Sequence, residues 1–181
     1  LFFSNLMKSK GIMEFLSLSE QLLKNNLDIE INIAGNLQED KFMSLKSIKK
    51  SFYSKFNPLK GKYKNRINYH GFLQNQNKLN LFAISDFFVL PSYFEAFPIS
   101  VLEAMKSKNV IIITKTKYIN EIISKENGLI SNDLTEMYNY IIKLISNKKE
   151  LSKIQNFNSI YAESFSHEVF INSISNVIND N

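Results

Sequence analysis

The chain has 181 residues, 44% of them hydrophobic and 22% charged, a balance that excludes disorder and predicts one soluble domain with a buried core. Its formal charge of +5 is almost wholly lysine, Arg66 being the single arginine, which argues against a nucleic-acid partner; the absence of cysteine excludes disulfides, thiolate metal sites and a cysteine nucleophile. No apolar run approaches the roughly 20 residues of a membrane helix, and residues 1–4 lack the flanks of a signal peptide, so a cytoplasmic location is the simplest expectation.

Short apolar runs alternate with helical periodicity along the chain. Residues 1–4 predict a strand, and Ile12, Phe15, Leu16, Leu22 and Leu23 share one face of a helix. Residues 29–34 predict a second strand closed by Gly35. A polar, lysine-rich helix fills residues 39–56 until Asn57-Pro58 ends it. Residues 67–70 form a strand closed by Gly71, residues 78–84 a short helix, and residues 87–90 an apolar strand stopped by Pro91-Ser92. A helix over 99–106 precedes the β-branched run 110–114, a short helix over 118–124 and a small strand over 128–130. Leu134, Met137, Ile141, Leu144 and Ile145 mark a further amphipathic helix, and Val169, Phe170, Ile174 and Val177 mark one over 167–178. Continuous apolar strands alternating with helices predict an α/β domain: a single doubly wound, Rossmann-like parallel sheet with helices on both faces.

In such a sheet ligands sit beyond the carboxyl ends of the strands, where strand order reverses. Residues 5–11, 35–38, 70–73 and 91–100 are therefore the informative ones. Lysines also concentrate between Lys41 and Arg66. A solvated helix face explains them most simply, and a patch that attracts an anionic membrane surface or a charged substrate is the other reading.

The stretch over residues 91–105 carries the strongest chemical signal. A strand ends, a short loop presents Glu95, and a helix begins near Pro98, whose fixed φ suits a first turn. The helix start offers unpaired N–H groups and the positive end of the dipole to a phosphate, and Glu103 lies about a turn further in. From spacing alone two readings stand. Glu95 and Glu103 are either ordinary acids favoured near a helix start, or a carboxylate pair for a ligand that bears hydroxyls and phosphates.

The same stretch resembles the E-x7-E signature of the group 1 (family 4) retaining glycosyltransferases, with Glu95 and Glu103 as the two glutamates. Asp86 and Pro91-Ser92 flank the preceding strand as in that family. Ser4-Asn5-Leu6 and Ser9-Lys10-Gly11-Ile12 resemble its opening loop, and residues 31–35, ending at Gly35, its second strand. His70-Gly71-Phe72-Leu73 resembles the loop against the nucleobase, and Glu121-Ile122-Ile123 with Asn127-Gly128-Leu129-Ile130 the closing segment. Several positions depart from the pattern. Asn5 stands where many relatives have arginine, Ala96 and Pro98 replace glycines, Lys108-Asn109-Val110 replaces Gly-x-Pro, and residues 115–118 lack a glycine pair.

The resemblance implies the C-terminal, donor-binding half of a GT-B architecture, with the N-terminal acceptor domain outside this chain. It implies transfer of a hexose from a UDP- or GDP-sugar to an acceptor such as a glycan or a lipid-linked sugar, with retention and without a tightly bound cofactor. Lys10 and the N–H groups of Ile99 and Ser100 would hold the diphosphate, Glu103 the ribose, and Glu95 the donor sugar, so that Glu95 and Lys10 act in catalysis. Asn5, Gly35, His70, Gly71, Phe72, Leu73, Phe97 and Pro98 would complete the donor site. The partners implied are the donor, the other domain and, through the lysines, the inner face of a membrane. A nucleotide-sugar-binding module without activity and an α/β interaction domain remain as alternatives. His70 reads more readily as a packed or hydrogen-bonded histidine than as a catalytic one, and His167 as a cap or surface residue. Neither has partners at zinc-ligand spacing, so no metal site is expected.

Overall fold

The computed structural model describes residues 1–25, 27–95, 98–117, 119 and 123–165. Apolar runs bounded by glycine, proline or polar residues form the strands β1 (Phe2–Phe3), β2 (Ile31–Ala34), β3 (Ile67–Tyr69), β4 (Phe87–Leu90), β5 (Val110–Ile113) and β6 (Gly128–Ile130). All pairings are parallel. Phe2 lies opposite Ile33 and Ile31 opposite Ile67 in one group, Phe88 opposite Ile111 and Ile112 opposite Leu129 in the other. All four residues of β5 are fully buried, as expected for a parallel strand covered on both faces.

The single sheet expected from the sequence is instead two three-stranded sheets, β1-β2-β3 and β4-β5-β6. They meet at Leu1, whose amino group donates to Phe87 O at 2.7 Å and whose carbonyl accepts from Val89 N at 2.9 Å. With β1 only two residues long, these two bonds are too few to make a ladder. Across the junction the strands run β3-β2-β1-β4-β5-β6, and the direction of travel reverses between β1 and β4.

The intervening helices are α1 (Ile12–Lys24), α2 (Leu45–Tyr63), α3 (Asn75–Ala83), α4 (Ile99–Lys106), α5 (Leu134–Ser146) and α6 (Lys148–Glu163). Helix α1 packs against α2 and α5, whereas α4 packs against α6 and β5. The crossovers through α1 and α4 step in opposite directions, and right-handed connections then carry these two helices to opposite faces. One apolar core joins residues of both sheets, from Phe2, Ile12 and Ile33 to Phe88, Ile112 and Met137.

Two helices differ from expectation. The lysine-rich helix starts at Leu45, capped by Ser44, whose hydroxyl accepts from Ser47 N, and it runs through Pro58 to Tyr63. Ile48, Phe52, Phe56 and Leu59 form a buried stripe that continues past the proline. Pro58 and Ser54 are exposed, so the carbonyl that loses its N–H partner can be hydrated. Helix α6 had no sequence signal, because its buried stripe includes Asn158. Asn158 donates to Asn109 O and Asn127 O at 2.7 and 2.9 Å and accepts from Asn127 Nδ2 at 2.9 Å, a buried network that binds α6 to the ends of β5 and β6. The helix expected over 118–124 falls largely on residues outside the described ones, and that over 167–178 does so wholly.

Candidate functional site

The exits of β1 and β4 lie side by side. After β1 the chain makes a short 3₁₀ turn over Lys8–Lys10 and reverses at Gly11, whose φ of 75° suits glycine. A β-carbon at Gly11 would stand 1.9 Å from Pro91 O, so only glycine lets the two loops approach this closely. Ser9 O accepts from Tyr93 N at 2.8 Å, and Ser9 N donates to Asp40 Oδ2 at 2.6 Å. Lys10 Nζ then reaches Glu95 Oε1 at 2.9 Å, with the Glu95 side chain only 6% exposed. Two residues that the sequence places 85 apart thus form an ion pair across the point where strand order reverses.

Beyond Glu95, Ala96 and Phe97 lie outside the described residues. Pro98 is the N-cap of α4 rather than its first residue, with extended ψ of 98°, and the cap makes no side-chain hydrogen bond. Ile99 is exposed and Ser100 half-buried, so their N–H groups head a helix start without a side-chain acceptor. One turn on, Glu103 Oε1 accepts from Lys78 Nζ of α3 at 2.5 Å. Each glutamate of the pair is therefore matched by its own lysine.

The remaining candidates gather at the ends of β2 and β3. Gly35 N donates to Gly71 O at 2.7 Å, and a β-carbon at Gly35 would meet Ser4 O at 1.8 Å. His70 Nε2 donates to Asn32 Oδ1 at 2.7 Å, which leaves Nδ1 as the acceptor. Burial lowers the His70 pKa below the ordinary imidazole value, aided by the Lys60 charge and opposed by that of Glu30. Phe72 is 58% exposed, Leu73 half-buried, and Asn5 exposed with its carbonyl accepting from Met7 N at 2.9 Å.

Sequence reasoning missed a second cluster beside the first. Lys8 Nζ donates to Glu14 Oε1 at 2.5 Å and to Tyr93 OH at 2.7 Å, and Tyr93 OH donates to the same Glu14 oxygen at 2.5 Å. Burial pushes the Glu14 carboxyl up, but the hydrogen bonds from Lys8 and Tyr93 outweigh it and hold Glu14 below the usual glutamate range. The only available signal was an acid in the first turn of α1, which is commonplace. Lys78 was missed for a similar reason, since nothing local ties it to a residue 25 positions away.

The family model of the glycosyl transferases group 1 matches residues 1–159 of this chain. The chain belongs to that family. Among solved structures, the C-terminal domain of the group 1 family protein LpcC from Francisella tularensis is 25% identical with a TM-score of 0.71, over 91% of this chain and 82% of that one. Anabaena HepE in complex with UDP-glucose is 20% identical with a TM-score of 0.75, and sucrose-phosphate synthase from Thermosynechococcus elongatus 15% identical with a TM-score of 0.75. Both are matched over 99% of this chain, which spans only 48% and 44% of their lengths. A search of curated proteins found no match. This group 1 member has no helix, among the described residues, long and apolar enough to cross a membrane.

Proposed function

We propose that the chain is the donor-binding domain of a retaining, GT-B glycosyltransferase, which moves a hexose from a nucleotide diphosphate sugar to an acceptor held by an N-terminal domain. The observation that carries this reading is the Lys10–Glu95 pair at 2.9 Å, at the reversal of strand order where open α/β sheets bind nucleotides. Lys10 and the N–H groups of Ile99 and Ser100 stabilise the charge that builds on the leaving diphosphate. Glu103 accepts from the ribose hydroxyls, Glu95 orients the donor sugar, and the loop from His70 to Leu73 lies against the base. Pro98 brings no N–H to this anion site, so the lysine carries more of the task. Because Lys10 already holds Glu95, the incoming diphosphate competes for the ammonium and frees the carboxylate for the sugar.

UDP-glucose in the HepE complex supports UDP-sugars as the first donors to test. We place the domain in the cytoplasm, with the lysines of α2 facing the anionic inner surface of the membrane. Calorimetric titration with UDP, GDP and their sugars tests the reading: saturable binding of a nucleotide diphosphate is expected, and none for any of them overturns it. A binding module without transfer is favoured by one observation, that Ala96 and Pro98 stand where the resembling family has glycines. A transfer assay with the matching N-terminal domain separates the two.

A further inference from the structure

Lysine occupies position 78, where the period of α3 calls for a core residue. It lies one turn before Phe82, which is fully buried, with the ring centroids of Phe82 and Phe3 5.0 Å apart. The Lys78 stem follows that face, and its ammonium stands 5.6 Å from the Phe3 ring centroid, at the exit of β1. There Nζ donates to Glu103 Oε1 of α4 at 2.5 Å. The two side chains are 26% and 32% exposed, so a ligand in the site can reach both. An ammonium has three donors, and this bond uses one.

At the exit of β1, Asn5 brings no charge and Lys8 is engaged by both Glu14 and Tyr93; at the start of α4, Pro98 brings no N–H. Lys10 and Lys78 stand one on each glutamate. A nucleotide diphosphate sugar runs in a fixed order: ribose, first phosphate, second phosphate, sugar. With Glu103 on the ribose and Glu95 on the sugar, the lysine of Glu103 falls beside the first phosphate and that of Glu95 beside the second. Binding is then an exchange of partners. Ribose hydroxyls donate to Glu103, and the phosphate accepts from the ammonium that Glu103 held. A bare nucleoside brings hydroxyls alone, so it competes with Lys78 for Glu103 and returns nothing to the ammonium.

We propose that Lys78 is a phosphate-binding residue of the donor site, which holds the phosphate next to the ribose while Lys10 holds the one next to the sugar. This role rests on the donor-domain reading, and within it makes Lys78 the residue that selects nucleotides over nucleosides. The α3 lysine thereby supplies a second cation to a diphosphate that Asn5 cannot charge-pair.

The test is the affinity of the full chain for uridine, UMP and UDP, by calorimetry for the nucleotides and saturation-transfer NMR for uridine. The guanosine series replaces it if the wild type binds GDP and not UDP. Lys78→Met should weaken UMP and UDP by similar factors, about tenfold or more each, and leave uridine at or above its wild-type affinity. Lys78→Gln keeps a donor for Glu103 without the charge, and should give the same pattern. Thermal melts confirm that both variants are folded. Lys10→Ala should instead weaken UDP by a larger factor than UMP. Equal losses for uridine, UMP and UDP in the Lys78 variants mean that the lysine only orders Glu103, and overturn the proposal. Loss of UDP with UMP spared overturns it too, since Lys78 then serves the other phosphate. A wild-type chain that binds UDP or GDP, with both Lys78 variants unchanged, removes this role and leaves the donor-domain reading standing. A wild-type chain that binds neither removes both.

Discussion

Lys10 Nζ stands 2.9 Å from Glu95 Oε1 and joins the loop after β1 to the loop after β4. The glutamate side chain is 6% exposed and the lysine 28%, so the carboxylate depends on this partner far more than the lysine does. One contact therefore has two consequences, one for folding and one for ligand binding.

Lys10→Ala should destabilise the protein by about 1–3 kcal/mol, because a nearly buried charge loses its compensation. The loss should shrink in the Glu95→Gln background, where no charge is left unpaired. The same variant should weaken UDP more than uridine, since the phosphate loses a charge-assisted contact. Thermal melts and calorimetry of the two single variants and the double variant check both effects. Equal losses for UDP and uridine would place Lys10 outside the phosphate site.

Asn158→Ala should cost about 2–4 kcal/mol, because it strips partners from Asn127 and from the carbonyls of Asn109 and Asn127 in a fully buried setting. Asn158→Leu should be no milder, since it adds bulk while leaving the same groups unpaired. Chemical denaturation measures the effect. A cost within about 0.5 kcal/mol of wild type would mean the network is replaced by water.

Asn158 also explains why part of the fold was hidden in the sequence. Strands at residues 87–90 and 128–130 and the helix at 99–106 were legible to the residue, because apolar runs there stop at proline, glycine or charged positions. Helix α6 was not, since a polar residue occupies its core stripe and its partners lie 31 and 49 positions away. Pro58 misled in the opposite direction: a local stop signal lost to the packing of Phe56 and Leu59 on either side of it. The candidate site divides along the same line. Glu95 and Glu103 were singled out by spacing only as one of two readings, and Lys10 only by the family resemblance; the pairing of Lys10 with Glu95 and of Glu103 with Lys78 depends on contacts between distant segments, as does the Lys8–Glu14–Tyr93 cluster. Phe97 lies outside the described residues.

His70 should titrate below pH 6.5. Burial disfavours its charged form, the Lys60 charge adds to this, and the Glu30 charge does not offset them. The sign for stability follows directly. Above 6.5 the residue is neutral in both states and contributes nothing. As pH falls through 6.5 towards the lower folded value, the unfolded chain takes up the proton first, and the fold loses stability. Because His70 is largely exposed, that loss should be small. An NMR titration of the imidazole, with His167→Gln to assign the second histidine, checks it; a midpoint at or above 6.5 contradicts the burial argument. Asn32→Asp should raise the midpoint by placing a carboxylate against the ring.

The two glutamates give the sharpest division between a donor site and an ordinary helix start. Both are paired with lysines, Glu95 with Lys10 and Glu103 with Lys78, so neither can be separated from the other by charge alone. Their ligand profiles should differ. A carboxylate accepts from both vicinal hydroxyls of a ribose, whereas an amide has one acceptor oxygen, so Glu103→Gln should weaken UDP and UDP-sugar alike by about tenfold. Glu95→Gln should spare UDP and weaken only the sugar-bearing ligand, and in the assembled enzyme it should lower kcat, because an orienting contact counts most in the transition state. Both variants also lose an ion pair, which complicates a stability readout but not this one: each ligand is compared with its own partner lacking the sugar. Loss of Lys78–Glu103 should cost less than about 1 kcal/mol, since both side chains are roughly a third exposed, and loss of Lys10–Glu95 should cost more. Calorimetry of both variants with UDP and a UDP-sugar that the wild-type chain binds decides the matter. If both keep wild-type profiles for both ligands, the carboxylates only neutralise lysines near a helix start, and the donor-site roles of Glu95 and Glu103 fall together.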